Sequence, residues 1–349
     1  VDWNVLRSMS IVFQVVVAVF VFGLLIFIHE LGHFTVGKLS GMRVNEFALG
    51  MGPAIWSTQR GETKYALRAL PIGGYVAVEG EDEDSSDPRA YCNVRLWKRI
   101  LFVCAGALMN LLLGFVILSI LVGMRQSLPT TVVGGFHEGA QSNARLQAGD
   151  RILRVNGSRV FTSNDISFSM VSDKDGVVTF TVLRGGEKLE LRDIDFGMQV
   201  MEDGTKVINL DFYVDSAPKT FWSSVQYTIL WMFSIVRQVW MSFINLITGN
   251  FTLAELSGPV GVSTVIGQAS MAGIKTLLLL VGFITVNIGV FNLLPVPALD
   301  GGRLLFLLIE LVIRRPVNPK YEGIIHTAGF VLLMGLMLVV TFNDILRFF

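Results

Sequence analysis

Apolar residues in this chain come in long uninterrupted blocks, separated by polar segments with a different rhythm. Residues 11–28 carry no charge over eighteen positions, enough helix to cross most of a bilayer, so residues 1–37 are expected to hold a first membrane span. Residues 38–99 are polar and rich in Gly and Pro, with alternation around Phe47, Tyr65 and Tyr75 that predicts short strands or hairpins. A second uncharged block fills residues 100–124, with Asn110 its one strongly polar side chain. Between residues 128 and 200 the pattern becomes that of a mixed α/β module. One strand there is closed by Asn156-Gly157, two alternating runs flank Gly185-Gly186, and a short capped helix covers 164–170.

Residues 218–270 are expected to hold an amphipathic helix and a loop, and within them 221–247 is ambiguous. Ser234, Arg237, Gln238, Ser242 and Asn245 recur at helical spacing on an otherwise apolar segment, which describes a helix that either spans or lies along the membrane surface. Gly258-Pro259 then breaks the chain after Leu256-Ser257. A third span is expected over 275–312, interrupted near its end by Pro295 and Pro297, and a fourth over 321–345. Irregular backbone at membrane depth is tolerated where it is buried in protein or lines a wet cavity, so the interruption is itself a candidate for function.

The chain has 349 residues, 52% of them hydrophobic and 16% charged, in blocks that indicate a polytopic α-helical membrane protein. Zero formal net charge gives no reason to expect nucleic acid as a partner. Two cysteines, Cys92 and Cys104, are too few for a disulfide framework, and no Cys-x-x-Cys pair offers a thiolate metal site. The first apolar block lacks a small-residue cleavage site, so it is expected to be retained.

The first span ends on His29-Glu30-Leu31-Gly32-His33. Histidines four apart on a helix share a face and can converge on one cation, and zinc takes His nitrogen readily. Glu30 would then act as general base on a water at the metal's open position. The plain alternative is a pair of histidines that hydrogen-bond headgroups or carbonyls. Ionisable residues inside a span mark function by default. Asp300, at the proline-broken end of the third span, is the natural third ligand. His137 and His326 do not look like ligands.

Topology and chemistry constrain each other. Nine Lys and Arg in residues 38–99 put that segment on the cytoplasmic side. His29 and His33 then end a span running outside to inside, and Asp300 reaches the same leaflet only if one other span separates them. Segment 221–247 should therefore not cross, leaving four spans with the α/β module outside. Asn110 is open to two readings, a helix–helix hydrogen bond or a place at the site.

His-Glu-x-x-His in the first span, with Asn292-Leu293-Leu294-Pro295-Val296-Pro297-Ala298-Leu299-Asp300-Gly301 in a later one, resembles the site-2 proteases, intramembrane zinc metalloproteases, in their bacterial form. The resemblance covers nearly the whole chain. It implies that His29, His33 and Asp300 bind Zn2+, that Glu30 activates water and that Asn292 holds substrate backbone. Gly50 and Gly52 fall in a run that resembles the family's membrane-associated β-hairpin, with Met51 where Phe is common. Residues 105–110 resemble its Ala-Gly-Pro-x-x-Asn motif, with Ala107 replacing the proline and Asn110 matching.

The run from Leu146 to Gly157 resembles a PDZ domain, a fold that takes a peptide along a sheet edge; a module acting only as a size filter is the alternative. The resemblance further implies single-span membrane proteins as substrates, such as anti-sigma factors or signal-peptide remnants. The location it implies is a bacterial cell membrane, with the active site toward the cytoplasm. Two other readings use the same residues, a zinc transporter or sensor and a scaffold with a structural metal. The first has no need of Glu30 beside His29, and a structural zinc would normally have four protein ligands where three stand out.

Overall fold

The computed structural model describes residues 3–81, 83–171, 173, 175–200, 206–249 and 257–348. They form two compact units, one of residues 1–117 with 239–349 and the other of residues 118–238. Leu256, beside the expected break, lies outside the described residues. Among the described residues, five helices are long and apolar enough to cross a membrane, one more than the sequence pattern suggested; the additional one is the 221–247 segment.

The first unit begins with α1 (Trp3–Leu39). Its buried positions Ala18, Val21, Leu25 and His33 follow helical spacing along one stripe, while Val12, Val15, Val16 and Phe20 are exposed, as a lipid-facing surface would be. The helix stops at Gly41, whose φ of +77° a side chain would resist. Two long strands follow, β1 (Val44–Arg60) and β2 (Thr63–Val78). Each bends, so together they make four runs. Ala48 pairs with both Ala66 and Tyr75, and Leu49 with both Leu67 and Gly74, which puts 44–49 between 63–67 and 74–78. Residues 56–60 pair on the far side of 63–67.

The bend in β1 falls at Gly50 and Gly52, both at φ +84°. A Cβ on Gly50 would run into the Leu70 and Arg68 carbonyls, so the turn is closed to larger residues. Arg68 donates to Glu46 (2.6 Å) and to the Tyr75 hydroxyl. Burial pushes the Glu46 carboxyl up, but hydrogen bonds to Arg68 and Tyr75 and the charges of Arg68 and Lys64 together outweigh it and hold the group below its ordinary range. One face of the sheet packs on the membrane helices through Phe47, Val44, Val76 and Val78, which join Phe102 and Val103 of α2 (Leu96–Gly123) in one core.

In the second unit, a five-strand antiparallel path runs β10 (Phe212–Pro218), β3 (Ser127–Phe136), β4 (Arg151–Val155), β6 (Val177–Arg184), β7 (Glu187–Asp195), with β5 (Ser158–Arg159) on β4 and a separate hairpin of β8 (Met198–Val200) and β9 (Lys206–Ile208). Asn156-Gly157 and Gly185-Gly186 all sit at positive φ, the geometry of two-residue hairpin turns. Phe180, Phe196, Phe212, Val178 and Ile152 fill the core under α3 (Ser163–Val171). The module extends past the residue 200 expected from sequence, because β10 covers the edge that β3 would otherwise leave open.

The polar stripe of α4 (Phe221–Ile247) is used inside this unit. Asp165 of α3, fully buried, accepts from Ser234 and from Arg237 (2.7 Å), and Arg237 also stacks 5.0 Å from the Phe161 ring. Ser234 and Arg237 therefore dock the first part of α4, residues 221–238, on the α/β module. The opposite side leaves Trp222, Ile229, Phe233, Trp240 and Ile244 exposed.

The first unit resumes with α5 (Pro259–Ala272) and α6 (Ile274–Leu293), then an irregular loop over 294–299, α7 (Asp300–Ile313) and α8 (Pro319–Phe348). The third apolar block is thus two helices, and the break falls where the two prolines stand. Gly114 and Gly289 bring α2 and α6 together; a Cβ on Gly289 would lie 3.0 Å from the Ala107 carbonyl. Ala107 itself is fully buried, and α2 runs through it without interruption.

Candidate metal centre

His29 and His33, one turn apart on α1, turn the same edge toward α2, and their Nε2 atoms lie 3.2 Å apart. Asp300, in the first turn of α7, brings Oδ2 to 3.2 Å from His29 Nε2 and 3.4 Å from His33 Nε2. Among the described residues this is the one group of three or more such side chains whose ligand atoms come together. Asp300 Oδ2 is buried and accepts no aligned hydrogen bond. Three electron-rich atoms converging on one point is an arrangement that a cation reconciles. Zinc bonds of about 2.0–2.2 Å in tetrahedral geometry imply about 3.3–3.6 Å between ligand atoms, close to the three separations seen.

The surroundings fit the same reading. His33 Nδ1 lies 2.8 Å from the Phe102 carbonyl. A carbonyl only accepts, so Nδ1 carries the proton and Nε2 is left with its lone pair free. On the other imidazole, the Asn110 carboxamide lies 3.3 Å from Nδ1, while its Oδ1 is buried without a partner. A half-turn of the amide satisfies both groups, because Oδ1 then accepts the His29 Nδ1–H and frees Nε2. Asn110 is itself fully buried, and Thr285 donates to its backbone carbonyl (3.1 Å).

The space the trio faces is kept open by glycine. An added Cβ on Gly106 of α2 would stand 2.7 Å from both Nε2 and Cε1 of His29 and closer still to His33 Nε2. Gly32 allows the crossing of α1 and α2 at this level, since its Cβ would meet the Ala105 carbonyl and Met109.

Glu30 is half-buried and lies beside the outer run of the sheet: a Cβ on Gly74 would be 2.9 Å from Glu30 Cγ. Run 74–78 pairs on one side only, with 44–49, among the described residues. Gly50 and Gly52 shape the bend of that sheet rather than joining the trio. Asn292 is half-buried in the last turn of α6, just before the irregular loop.

Gly106 stands out in the sequence only as part of a motif, and nothing in the sequence marks Gly74 or the Phe102 carbonyl. A carbonyl's use has no sequence signal. Gly106 had one, in the small-residue run Ala105-Gly106-Ala107 within a span otherwise made of large apolar residues.

Helices fit to cross a membrane, meeting around a two-histidine, one-carboxylate cluster with a glutamate between the histidines, define the class of intramembrane metallopeptidases. The chain belongs to Peptidase family M50, which matches residues 17–336. It is accordingly a multi-pass membrane zinc metalloprotease of the site-2 type. Among similar proteins, one from Clostridium acetobutylicum, whose name proposes a zinc metalloprotease, is 36% identical, covering 95% of this chain and 97% of that protein. The zinc metalloprotease RasP of Geobacillus kaustophilus is 31% identical over 94% of this chain and 97% of its own length. The regulator of sigma-W protease RasP of Bacillus subtilis is 29% identical over 96% and 99%.

Proposed function

We propose that this protein cleaves transmembrane segments of single-span membrane proteins, with His29, His33 and Asp300 holding the zinc and Glu30 as general base. The observation that carries the reading is the convergence of the three ligand atoms on a glycine-walled space beside Glu30. When bound, the metal polarises the scissile carbonyl and lowers the pKa of a water. Glu30 takes that water's proton as its oxygen bonds to the carbonyl carbon. It delivers the proton to the departing amide nitrogen as the C–N bond breaks, and so ends as it began. Phe102 and Asn110 act on the histidines from behind, each fixing a ring and its proton.

An intact substrate helix keeps its carbonyls hydrogen-bonded, so the segment to be cut must be extended. The unpaired side of run 74–78 offers such a segment backbone partners next to Glu30, with Gly50 and Gly52 setting the bend behind it and Asn292, in the last turn of α6, as a further substrate contact. The relative named regulator of sigma-W protease favours membrane-held regulators of sigma factors as substrates. The α/β module is read as PDZ-like, screening what reaches the membrane site either by peptide capture or by size.

Four helices cross in this reading: α1, α2, α6 and α8. Asp300 meets His29 and His33 only if α6 runs in the direction of α1, which one intervening crossing allows and two do not. Thus α4 lies at the outer surface with its exposed aromatic side in lipid, and the catalytic residues lie toward the cytoplasm. In a chain lacking Cys92 and Cys104, a membrane-impermeant maleimide applied to intact cells is expected to label Lys188→Cys and Thr248→Cys but not Gln59→Cys. Protection of Thr248→Cys with labelling of Lys188→Cys would mean that α4 crosses.

Function is tested with purified protein in detergent and a single-span peptide. One zinc per chain is expected, with cleavage lost by more than about 100-fold on chelation and restored by added zinc. Cleavage that persists in the metal-free chain would overturn the proposal.

A further inference from the structure

Every N–H group of the irregular loop that presents Asp300 can be accounted for. Pro295 and Pro297 have no N–H. Leu294 donates to the Phe291 carbonyl (3.1 Å), Val296 to Leu294 (2.6 Å) and Leu299 to Val296 (3.2 Å), so all three are satisfied locally. Ala298 alone reaches outside, donating to Nδ1 of His326 on α8 at 3.0 Å. It is also a residue whose own conformation is unfavourable: φ is +73°, in the left-handed region that a side chain resists. Such a conformation persists only where the surroundings hold it.

A second contact from the same helix face presses on the loop. Gly329, one turn beyond His326, lies so close that a Cβ there would stand 2.9 Å from the Pro297 carbonyl oxygen and against its ring. The loop is equally tight on its other side, where a Cβ on Gly302 would be 2.6 Å from the Val296 carbonyl. The His326 ring also packs on Phe306 of α7, with centroids 5.8 Å apart. Helix α8 therefore grips the loop at Ala298 and Pro297, immediately before the residue read as the third metal ligand.

We infer that His326 is a positioning residue for the metal centre: its Nδ1 holds Ala298 in the left-handed conformation and so sets where the Asp300 carboxylate points. The inference rests on Asp300 being a ligand. What Ala298 requires of residue 326 is an acceptor at the Nδ1 position. Asparagine places its Oδ1 at that position, glutamine places its acceptor one bond further out, and phenylalanine keeps the ring and the packing on Phe306 without any acceptor.

The test uses the full chain in detergent, with zinc affinity measured by competition and the visible absorption of the cobalt(II)-loaded protein as a report on ligand geometry. His326→Phe and His326→Gln are expected to lose about 10–100-fold in zinc affinity, the usual cost of removing a partner behind a ligand. Their cobalt bands should shift, and kcat should fall with KM little changed. His326→Asn should restore all three. Gly329→Ala, which moves the same loop without touching the acceptor, should shift the cobalt bands as well. Native affinity and bands in His326→Phe would overturn the inference, as would an Asn variant no better than Phe. Asp300→Asn is run alongside: if it binds zinc normally the ligand assignment itself fails, whereas its loss of zinc with His326→Phe unaffected defeats the positioning role alone.

Discussion

Glu30→Gln should bind zinc as the native chain does and cleave a single-span peptide about 10³-fold more slowly, within the 10²–10⁴-fold range of general acid–base contributions. Glutamine has the shape of glutamate, so the contact with Gly74 that brings run 74–78 against α1 is kept. The three atoms that converge belong to His29, His33 and Asp300, and removing the Glu30 charge takes nothing from that set. What the amide cannot do is accept a proton from water at neutral pH or return one to the leaving nitrogen. Zinc content and cleavage rate, measured on the same preparations, check this directly. Loss of zinc in the variant would make Glu30 a structural part of the metal site, and a rate within tenfold of native would put the base elsewhere. The outcome also separates a protease from a zinc carrier or sensor, which would be indifferent to the change.

How much of this was legible beforehand depended on whether the signal was local. His29 and His33 could be paired from spacing alone, because helical geometry fixes their relation wherever the helix goes. Asp300, remote in sequence, was readable because two prolines break a span beside it and charge inside a membrane segment has to be used. The stripe on α4 was readable as a stripe, yet its partner was not. Spacing tells which side of a helix is polar, and Ser234 and Arg237 reveal only in three dimensions that Asp165 of the α/β module receives them. The expected limit at residue 200 fell short for a related reason: β10 belongs to the module through its pairing with β3, a long-range contact that alternation within 212–218 cannot announce. Asn110 could be placed in a span but not assigned a neighbour, and its position behind His29 depends on how α2 crosses α1 at Gly32 and Gly106. Ala298 and His326 are ordinary residues in sequence, since neither a left-handed alanine nor the use of one ring nitrogen leaves a pattern.

Gly106→Ala is expected to cost about 100-fold or more in zinc affinity, at or beyond the upper end of what changes behind a ligand produce, and to abolish cleavage while leaving the fold intact. The added methyl would stand 2.7 Å from His29 Nε2 and crowd His33 Nε2, in the space on which the two lone pairs converge. It cannot easily move away. Residue 106 sits on the uninterrupted helix α2, held by Ala105, Ala107 and Asn110, which are all buried. The histidines are held in turn by Phe102 and Asn110. Helix stability pulls the other way, because alanine is a better helix former than glycine by about 1 kcal/mol. A variant that folds at least as well and yet binds no metal would therefore separate the site from the scaffold. Gly123→Ala on the same helix is the control, since nothing lies within 4 Å of its added Cβ; it should match the native chain in zinc content and activity. If Gly106→Ala instead retains native zinc affinity, the cation does not sit where the three ligand atoms converge. The assignment of His29, His33 and Asp300 would then have to be abandoned, even though the chain would still be a member of its peptidase family.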